Sequence, residues 1–413
     1  MAEAARMDYM TYGRTVNMPQ LTSFIKNEME LNRQNFHLGL RRRVPCIWGP
    51  PGIGKTDIVK QLKKDGYVIK HVPLAQFEEM GDLNGIPREQ QDKHGNWTTV
   101  TCPPEWVPNL ERDGSKVVLL LDDMNRADTR IVKGTMQLIQ DYGMTSWTLD
   151  QPDWHIICTA NPEGGLNDVT PLDPAQVSRF THITLKVEGE DGVRSWALWA
   201  QQNKVDNRAI SFMLKSPAML FANRDRVNPR TWTQAFDIMR LVTPQSVGER
   251  LTKDEAERIS THVEACVDKE AASAFMVFLT KGILELIEPE DLLNDLDKQM
   301  PKLMALSGNS GGQARADCLF AIYERLYLYI RSDGYVVKEG EPQTSKQGLN
   351  FVKLMSHDEL AAKDMRWAII RRLHHGDSDV AKEKTRILIR AARAADKSAS
   401  DKLVKMLADV LVM

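Results

Sequence analysis

The stretch VPCIWGPPGIGKTDI, residues 44–58, decides the fold of this chain. It reads as a short apolar strand, a glycine-rich turn and the first turn of a helix. The pattern G-x-x-x-x-G-K-[ST] is complete within it, from Gly49 to Thr56. Glycines let the backbone curl so that successive N–H groups point at one anion, and the helix N-terminus adds the positive end of its dipole. This order of elements predicts a phosphate-binding loop.

The other residue types of the loop indicate a nucleotide bound with Mg²⁺. Lys55 has the reach to meet β- and γ-phosphates, and the Thr56 hydroxyl is a suitable Mg²⁺ ligand. A chance glycine turn before a helix is the alternative, but the complete pattern stands between a strand and a helix, as the motif requires. The candidate nucleotide-binding residues are Gly49, Pro50, Pro51, Gly52, Ile53, Gly54, Lys55, Thr56 and Asp57.

A second stretch, VVLLLDDMNRAD at 117–128, runs five apolar residues into two adjacent carboxylates. Such a run is typical of a strand buried on both faces of a parallel sheet, and ligands of these sheets bind at the carboxyl ends of the strands. We therefore predict that Asp122 holds Mg²⁺ together with Thr56, and that Asp123 orients and deprotonates the attacking water. Taken alone, the run would be better explained as a strand that merely leaves the core at acidic residues.

Three more polar residues complete the set of candidate catalytic residues that begins with Asp123. Asn161 ends the apolar run in WHIICTANP, where its amide can bind the attacking water or a γ-phosphate oxygen, although Asn-Pro also starts turns. Arg179, in PAQVSRF, is placed to stabilise transition-state charge on a neighbouring molecule's nucleotide, the alternative being a surface ion pair. Arg230, in VNPRTW, opens a helix, where the dipole disfavours a cation and calls for an anionic partner; a nearby Asp or Glu would serve equally.

The order of these motifs resembles that of the AAA+ ATPases and, within them, of the MoxR-like group. Residues 49–56 match Walker A, LLLDDMNRAD resembles Walker B followed by the group's N-R-A, and TANP resembles sensor 1. PAQVSRF is similar to the arginine-finger segment, NPR to sensor 2, and MGDLNGIP at 80–87 to the group's insertion in helix 2. The resemblance covers about residues 20–240 and is weaker from there to about 330. It implies ATP and Mg²⁺ as the bound cofactors.

The chain departs from this family at one position. The family has Glu where this chain has Asp123, so the carboxylate is shorter by one C–C bond, about 1.5 Å. The resemblance therefore leaves two hypotheses open, an ATPase that reaches water differently and a slowly hydrolysing ATP-dependent switch.

Five apolar runs, at 44–48, 68–74, 117–121, 155–159 and 182–187, are separated by helix-length segments, which predicts a doubly wound α/β sheet. The resemblance implies the strand order 5-1-4-3-2 for these runs. From Asp191 onward the apolar residues recur only at helical spacing. The fold class predicted is therefore α/β, a P-loop NTPase of AAA+ type whose doubly wound parallel sheet is followed by an all-helical lid and a C-terminal helical region.

This pattern also predicts the domain organisation. Residues 1–187 are assigned to the nucleotide-binding domain, with an insert at about 80–105 and a hairpin at about 143–155. Residues 188–300 are assigned to the lid and 301–413 to the C-terminal helical region. Gly, Ser and Pro content predicts loops at 306–317 and 332–348, and the chain after residue 379 reads as a pair of basic amphipathic helices.

Composition narrows the classes of function. The 54 basic and 56 acidic residues give a formal net charge of -2, which is no general signal for polyanion binding. The five cysteines lie far apart without metal-ligand spacing, which indicates buried thiols in a reducing compartment. No signal-like core and no run approaching about 18 apolar residues is visible. We expect a cytoplasmic protein without a membrane span.

Two classes of function follow from these observations. The resemblance implies a ring of identical subunits, typically six in this family. Such a ring would remodel or mature protein complexes together with a von Willebrand factor A domain protein. The resemblance does not specify the client. The alternative is a nucleic-acid motor of the related helicase branch, whose hairpins need cations to track a phosphate backbone. The segment DYGMTSWTLDQPDW has three Asp and no Lys or Arg, which argues against nucleic acid.

Overall fold

The computed structural model describes residues 12–91, 93–163, 169–222, 226–243, 251–308, 313–376 and 378–396. The chain divides into two compact units, residues 1–188 and 189–413. No helix among the described residues is long and apolar enough to cross a membrane.

The first unit is built on a parallel sheet. Its described strands are β1 (Arg14–Val16), β2 (Val44–Trp48), β3 (Val68–Pro73), β4 (Ile86–Gln91), β5 (Trp97–Cys102), β6 (Val117–Asp122), β7 (Gly143–Met144), β8 (Trp147–Thr148), β9 (Trp154–Ala160) and β10 (Phe180–Leu185). Six of them form one sheet in the order β1-β10-β2-β9-β6-β3, and each neighbouring pair is parallel. The strand order predicted for the five apolar runs is confirmed, because β10-β2-β9-β6-β3 is 5-1-4-3-2 in the numbering of those runs.

Two details of the sheet differ from the prediction. Strand β1 was not predicted, since it has three residues of which only Val16 is buried, and it pairs with β10 at the edge of the sheet. The last predicted run, 182–187, is a strand over Phe180–Leu185, because Phe180 and Thr181, which precede the predicted run, already pair with β2 from Val44 onward.

Helices cover the sheet, and the first unit also contains two small antiparallel hairpins. Its helices are α1 (Met18–His37), α2 (Lys55–Lys60), α3 (Met80–Asn84), α4 (Leu110–Asp113), α5 (Thr129–Asp141) and α6 (Pro174–Val177). The Asn17 side chain caps α1, and Leu21, Ile25 and Met29 form the buried stripe of that helix. Strands β4 and β5 pair antiparallel within the region expected for the insert, and β7 and β8 pair within the region expected for the second hairpin.

The core of the first unit explains where its polar residues emerge. The five residues Val117 to Leu121 of β6 are fully buried, and the strand leaves the core at Asp122. Because β2, β6 and β9 are neighbouring parallel strands, their carboxyl ends lie at one edge of the sheet. The loops that follow these strands therefore meet at that edge.

The described residues of the second unit form helices and connecting turns. The helices are α7 (Gly189–Gln202), α8 (Asn207–Lys215), α9 (Pro217–Leu220), α10 (Pro229–Phe236), α11 (Lys253–Cys266), α12 (Lys269–Thr280), α13 (Pro289–Asn294), α14 (Leu296–Leu306), α15 (Ala316–Arg331), α16 (Pro342–Ser356), α17 (Lys363–His375) and α18 (Asp379–Ala395). One hydrophobic core extends from Val193 to Ala392. The sheet with its helices and the helical C-terminal part confirm the predicted fold class.

One predicted loop is wrong over part of its length. Helix α16 begins at Pro342, inside the segment 332–348 that was predicted to be a loop. Proline suits the first turn of a helix, where its missing N–H is not needed. Gly348 lies inside α16, where an added Cβ would stand 2.3 Å from the carbonyl oxygen of Leu388 in α18. This glycine therefore permits close packing of two helices rather than a turn.

The other two local predictions fall partly on residues that the structure does not describe. Helix α14 ends at Leu306 and α15 begins at Ala316, so that the loop predicted at 306–317 connects them, with residues 309–312 outside the described part. Of the two basic helices expected near the end, α18 is described, and the second lies at 397–413, outside the described residues.

Candidate functional site

The site begins at the glycine-rich loop between β2 and α2. An added Cβ at Gly49 would stand 2.7 Å from Ile53 Cδ1 and 3.0 Å from the carbonyl oxygen of Leu185, so only glycine allows the loop to fold this tightly on itself. Gly54, the residue before α2, has φ +94, a backbone conformation that side chains disfavour. Pro51 and Asp57 are exposed beside this loop, whereas Ile53 is buried under it.

Lys55 lies inside this loop rather than on its surface. Its side chain is buried, and its Nζ donates hydrogen bonds to the carbonyl oxygens of Gly49 (2.6 Å) and Pro50 (3.0 Å) and to Asn161 Oδ1 (3.0 Å). These three acceptors are neutral oxygens, which is compatible with a protonated ammonium group. A buried cation so placed fits an anionic ligand held by the loop.

Asp122 is held by three hydrogen-bond donors from three different elements. Thr56 Oγ1 donates to its Oδ1 (2.9 Å), Thr159 Oγ1 donates to the same oxygen (2.5 Å), and His71 Nε2 is 2.8 Å from its Oδ2. Burial alone would raise the pKa of this carboxyl, but the hydrogen bonds from Thr159, His71 and Thr56 outweigh burial and lower it. Asp122 is therefore an ionised carboxylate at neutral pH.

This pair of groups fits Mg²⁺. An ionised carboxylate and a hydroxyl stand within 2.9 Å of each other at the end of the phosphate loop, and both are the hard oxygen ligands that Mg²⁺ takes. Sites for Mg²⁺ commonly use one or two protein ligands and leave the remaining positions to water and substrate phosphates. The predicted metal-binding residues, Thr56 and Asp122, are thus brought together.

Asp123 differs from its neighbour in backbone and in surroundings. It adopts the left-handed conformation (φ 50, ψ 45), which turns its side chain away from the direction that β6 would have given it. Its Oδ1 accepts a hydrogen bond from Asn161 Nδ2 (2.9 Å), and its Oδ2 is 3.7 Å from Arg126 Nη1. The side chain is 38% exposed, so that water reaches this carboxylate although it does not reach the core beneath.

Two buried asparagines join the ends of β6 and β9. Asn125 Nδ2 donates to the carbonyl oxygen of Asn161 (2.7 Å), and the Asn161 N–H donates to Asn125 Oδ1 (2.9 Å). This reciprocal pair fixes the Asn161 backbone, while its side chain lies between Lys55 and Asp123. The predicted residues Lys55, Asp123 and Asn161 therefore form one connected network.

Three residues of this network were not predicted to take part. Asn125 was noted only as part of N-R-A, a motif of the family without a stated role. Thr159 is a polar residue in an apolar run, two residues before Asn161, a spacing that places both on one face of a strand. His71 lies in β3, two residues before the strand ends, and only the pairing of β3 with β6, which residue periodicity does not encode, brings it to Asp122.

The two candidate arginines lie outside this network. Arg179 follows α6, and its guanidinium donates to Gln140 Oε1 (3.2 Å) and to the carbonyl oxygen of Ala175 (2.5 Å). Arg230 belongs to the second unit, in the first turn of α10, where Asn228 caps the helix. Its side chain is exposed and forms no ion pair with any described residue, so the acidic neighbour that the helix dipole calls for is not found in that part of the chain.

Comparison with known proteins agrees with this geometry for the first unit. Residues 45–180 match the family model of the AAA domain, dynein-related subfamily. No curated protein matches the chain. The similar solved structures include the Thermotoga maritima RuvB Holliday junction branch migration motor, 17% identical over 78% of this chain and 90% of that one, with a TM-score of 0.33. A RuvB point mutant of the same organism is 16% identical over 78% and 91%, also with a TM-score of 0.33.

The sheet order, the glycine loop and the acids at the end of β6 coincide with the matched segment. The part of the chain from 45 to 180 is therefore similar to an AAA domain, and the fold is that of a P-loop AAA+ protein with a helical C-terminal region.

Proposed function

We propose that this protein binds ATP with Mg²⁺ and hydrolyses it to ADP and phosphate. The observation that carries the proposal is the connection between the phosphate loop and the acid beyond it. Lys55 Nζ is 3.0 Å from Asn161 Oδ1, and the amide nitrogen of the same side chain is 2.9 Å from Asp123 Oδ1. The side-chain amide of Asn161 thus connects Lys55, a cation suited to binding phosphate, with Asp123, a carboxylate suited to activating water.

Each residue of the network has a role that follows from its chemistry. Lys55 provides the charge that β- and γ-phosphates require, and the loop backbone provides N–H donors. Thr56 and Asp122 would hold Mg²⁺, which neutralises charge on the transferred phosphoryl group when it is bound. Asp123 accepts the proton of the attacking water, and Asn161 orients that water or a γ-phosphate oxygen.

Assembly into a ring is the second part of the proposal and is supported by the resemblance and by Arg179. The guanidinium lies near the surface, and among the described residues of its own chain it is hydrogen-bonded to an amide and a carbonyl oxygen and to no acid. In a hexameric ring it would act on the nucleotide of the neighbouring subunit, and Arg230 would contact phosphate as sensor 2. We also propose residues 188–300 as a lid and 301–413 as a C-terminal helical region.

For the use of the ATP energy we propose remodelling or maturation of protein complexes, in the manner of MoxR-like proteins. A partner with a von Willebrand factor A domain follows from that resemblance, and a cytoplasmic location is proposed from the sequence. The alternative is a nucleic-acid motor. The residues between β7 and β8 are Thr145 and Ser146, which carry no charge, and the charged residues of β4 are Arg88 and Glu89. Hairpins with so little net positive charge favour a protein client.

The proposal is tested by measuring ATP binding and phosphate release with the purified protein. Calorimetric titration with ATP and Mg²⁺ should show binding, phosphate release should show turnover, and light scattering with ATP should show a mass several times that of the 46.8 kDa chain. Failure to bind ATP would refute the assignment of the loop. Binding without phosphate release would instead identify the ATP-dependent switch.

A further inference from the structure

Thr159 is the one side chain in the network that contacts both acids. Its hydroxyl donates to Asp122 Oδ1 (2.5 Å) and accepts from the N–H of Asp123 (2.9 Å). We propose that Thr159 is a positioning residue, whose hydroxyl fixes the metal-side carboxylate of Asp122 and the backbone of Asp123 relative to each other. This inference rests on the proposed function, because the two acids are assigned there.

The Thr159 hydroxyl is suited to this task because it acts at the same time as a hydrogen-bond donor and as an acceptor. A threonine hydroxyl has one donor and two acceptor lone pairs, and here the donor serves a carboxylate and one lone pair serves an amide. The residue is fully buried, with 0% of its surface exposed. Solvent water therefore does not have free access to replace either hydrogen bond.

The sheet determines which residue can do this. Strands β6 and β9 are parallel neighbours in which Leu121 stands opposite Cys158, so the next residues along them are Asp122 and Thr159. Because Thr is branched at Cβ, its χ1 angle is restricted, and the hydroxyl is held in a defined direction. The strand register thus delivers the hydroxyl to the point where β6 ends.

The second hydrogen bond, from the Asp123 N–H to Thr159, stabilises an unusual backbone conformation at Asp123. Asp123 is one of four residues other than glycine with positive φ among the described residues. Such conformations persist where the surroundings hold them in place. The hydrogen bond from the Asp123 N–H to Thr159, together with that from Asn161 Nδ2 to its carboxylate, fixes the left-handed turn at both its backbone and its side chain.

His71 is the other neighbour of Asp122 that was not predicted, and it is less suited to this role. Its ring has a hydrogen bond to Asp122 alone among the described residues, and its side chain is 38% exposed, so that water can take its place. Loss of the Thr159 hydroxyl, in contrast, removes one hydrogen bond from the carboxylate of Asp122 and one from the backbone N–H of Asp123. Residues that orient metal ligands typically contribute about 10- to 100-fold to metal affinity or activity.

The test compares Thr159→Val, which keeps the shape and removes the hydroxyl, with Thr159→Ser, which keeps the hydroxyl. Thr135→Val is the matched control, because Thr135 is equally buried in the same unit and its hydroxyl bonds only the carbonyl oxygen of Val132. Two readouts do not depend on turnover. They are Mn²⁺ binding in the presence of a non-hydrolysable ATP analogue, measured by electron paramagnetic resonance, and amide hydrogen exchange of residues 117–128 in the nucleotide-free protein.

We expect Thr159→Val to weaken Mn²⁺ binding about 10- to 100-fold and to speed exchange at Asp123, while nucleotide binding in EDTA stays within about threefold of wild type. Thr159→Ser and Thr135→Val should lie near wild type in both readouts. The positioning role would be overturned if Thr159→Val and Thr159→Ser behaved alike. It would also be overturned if Thr159→Val and Thr135→Val both sped amide exchange to the same extent across the whole unit. Failure of the wild-type protein to bind nucleotide or Mn²⁺ would overturn the proposed function instead, and the exchange data would still decide whether Thr159 holds Asp123.

Discussion

Replacing Asp123 by asparagine separates its proposed role as a base from its structural contacts. The amide is nearly isosteric with the carboxylate, and its oxygen can still accept the hydrogen bond from Asn161 Nδ2 that is now 2.9 Å long. Asparagine tolerates the left-handed backbone at this position at least as well as aspartate does. The contact that is lost is the one with Arg126 at 3.7 Å, between side chains that are 38% and 51% exposed.

These contacts set the expected magnitudes. An exposed ion pair contributes about 0.2 to 1 kcal/mol, so the free energy of unfolding should change by no more than about 1 kcal/mol. An amide cannot accept the proton of the attacking water, and loss of a general base typically costs about 10² to 10⁴ in rate. At about 1.36 kcal/mol per factor of ten, this corresponds to a barrier higher by roughly 2.7 to 5.4 kcal/mol. The effect on turnover is thus several times larger than any effect on stability.

The assay is phosphate release at saturating ATP and Mg²⁺, with ATP affinity measured in parallel by calorimetry. Asp128→Asn is the matched control, because Asp128 caps α5 from the surface by accepting from the Arg130 N–H, and asparagine caps a helix equally well. We expect Asp123→Asn to bind ATP normally and to lose turnover, and Asp128→Asn to retain both.

A longer carboxylate at the same position gives the complementary result. Asp123→Glu extends the acid by about 1.5 Å and restores the length that the family uses, so turnover should rise or stay similar. If Asn and Glu at this position both leave turnover unchanged, Asp123 is not the base, and β6 merely leaves the core at an acidic residue. If wild-type turnover is negligible and only the Glu variant hydrolyses ATP, the protein is a switch that responds to ATP binding.

Three further predictions address other parts of the molecule. Lys55→Ala should abolish ATP binding or nearly so in calorimetry, since it removes the buried cation of the loop, and unchanged affinity would contradict the loop assignment. Arg179→Ala should leave ATP binding intact but reduce turnover, and mixed rings of Arg179→Ala and Lys55→Ala subunits should regain activity; strictly additive inactivity in verified mixed rings would argue against a shared site. Burial lowers the pKa of His155 to about 4, below the unfolded value of about 6.5, so the folded state resists protonation and stability is lost as pH falls through this range. Between pH 8 and pH 5 the free energy of unfolding, measured with urea, should fall by about 2 kcal/mol through this group. The His155→Gln variant should not show this loss. If the wild type and the variant lose the same free energy, His155 is not its source.

The sheet was largely predictable because its strands are marked by short stretches of neighbouring residues in the sequence. Apolar runs such as 117–121 mark buried strands by composition alone, and the motif order identified a family with a known strand order. Strand β1 carries only one buried residue, which is too little signal for periodicity to detect. The loop prediction at 332–348 was wrong from Pro342 onward, because Gly348 is used for close contact with α18, and that contact exists only in the folded protein.

The residue types of the site were predictable from the sequence, but the hydrogen bonds between those residues were less so. Lys55, Thr56 and Asp122 belong to motifs in which spacing along the chain already determines position in space. Thr159 and His71 reach Asp122 through strand pairing, and no single-sequence pattern gives the register between β6 and its two neighbours. The proposed role of Arg179 depends on a second subunit, so the contacts of one chain do not reveal it.

Strand β9 is the element that gives the adjacent acids their different roles. Alternate residues of a strand share a face, so Thr159 and Asn161 both point toward the end of β6. Thr159 bonds the carboxylate of Asp122, and Asn161 bonds the carboxylate of Asp123 and also Lys55. One acid is thereby held beside Thr56 and the other is held toward water. Because β9 lies between β2 and β6, a shift of its register by one residue would remove both contacts at once, so the proposed metal ligand and the proposed base depend on the same strand.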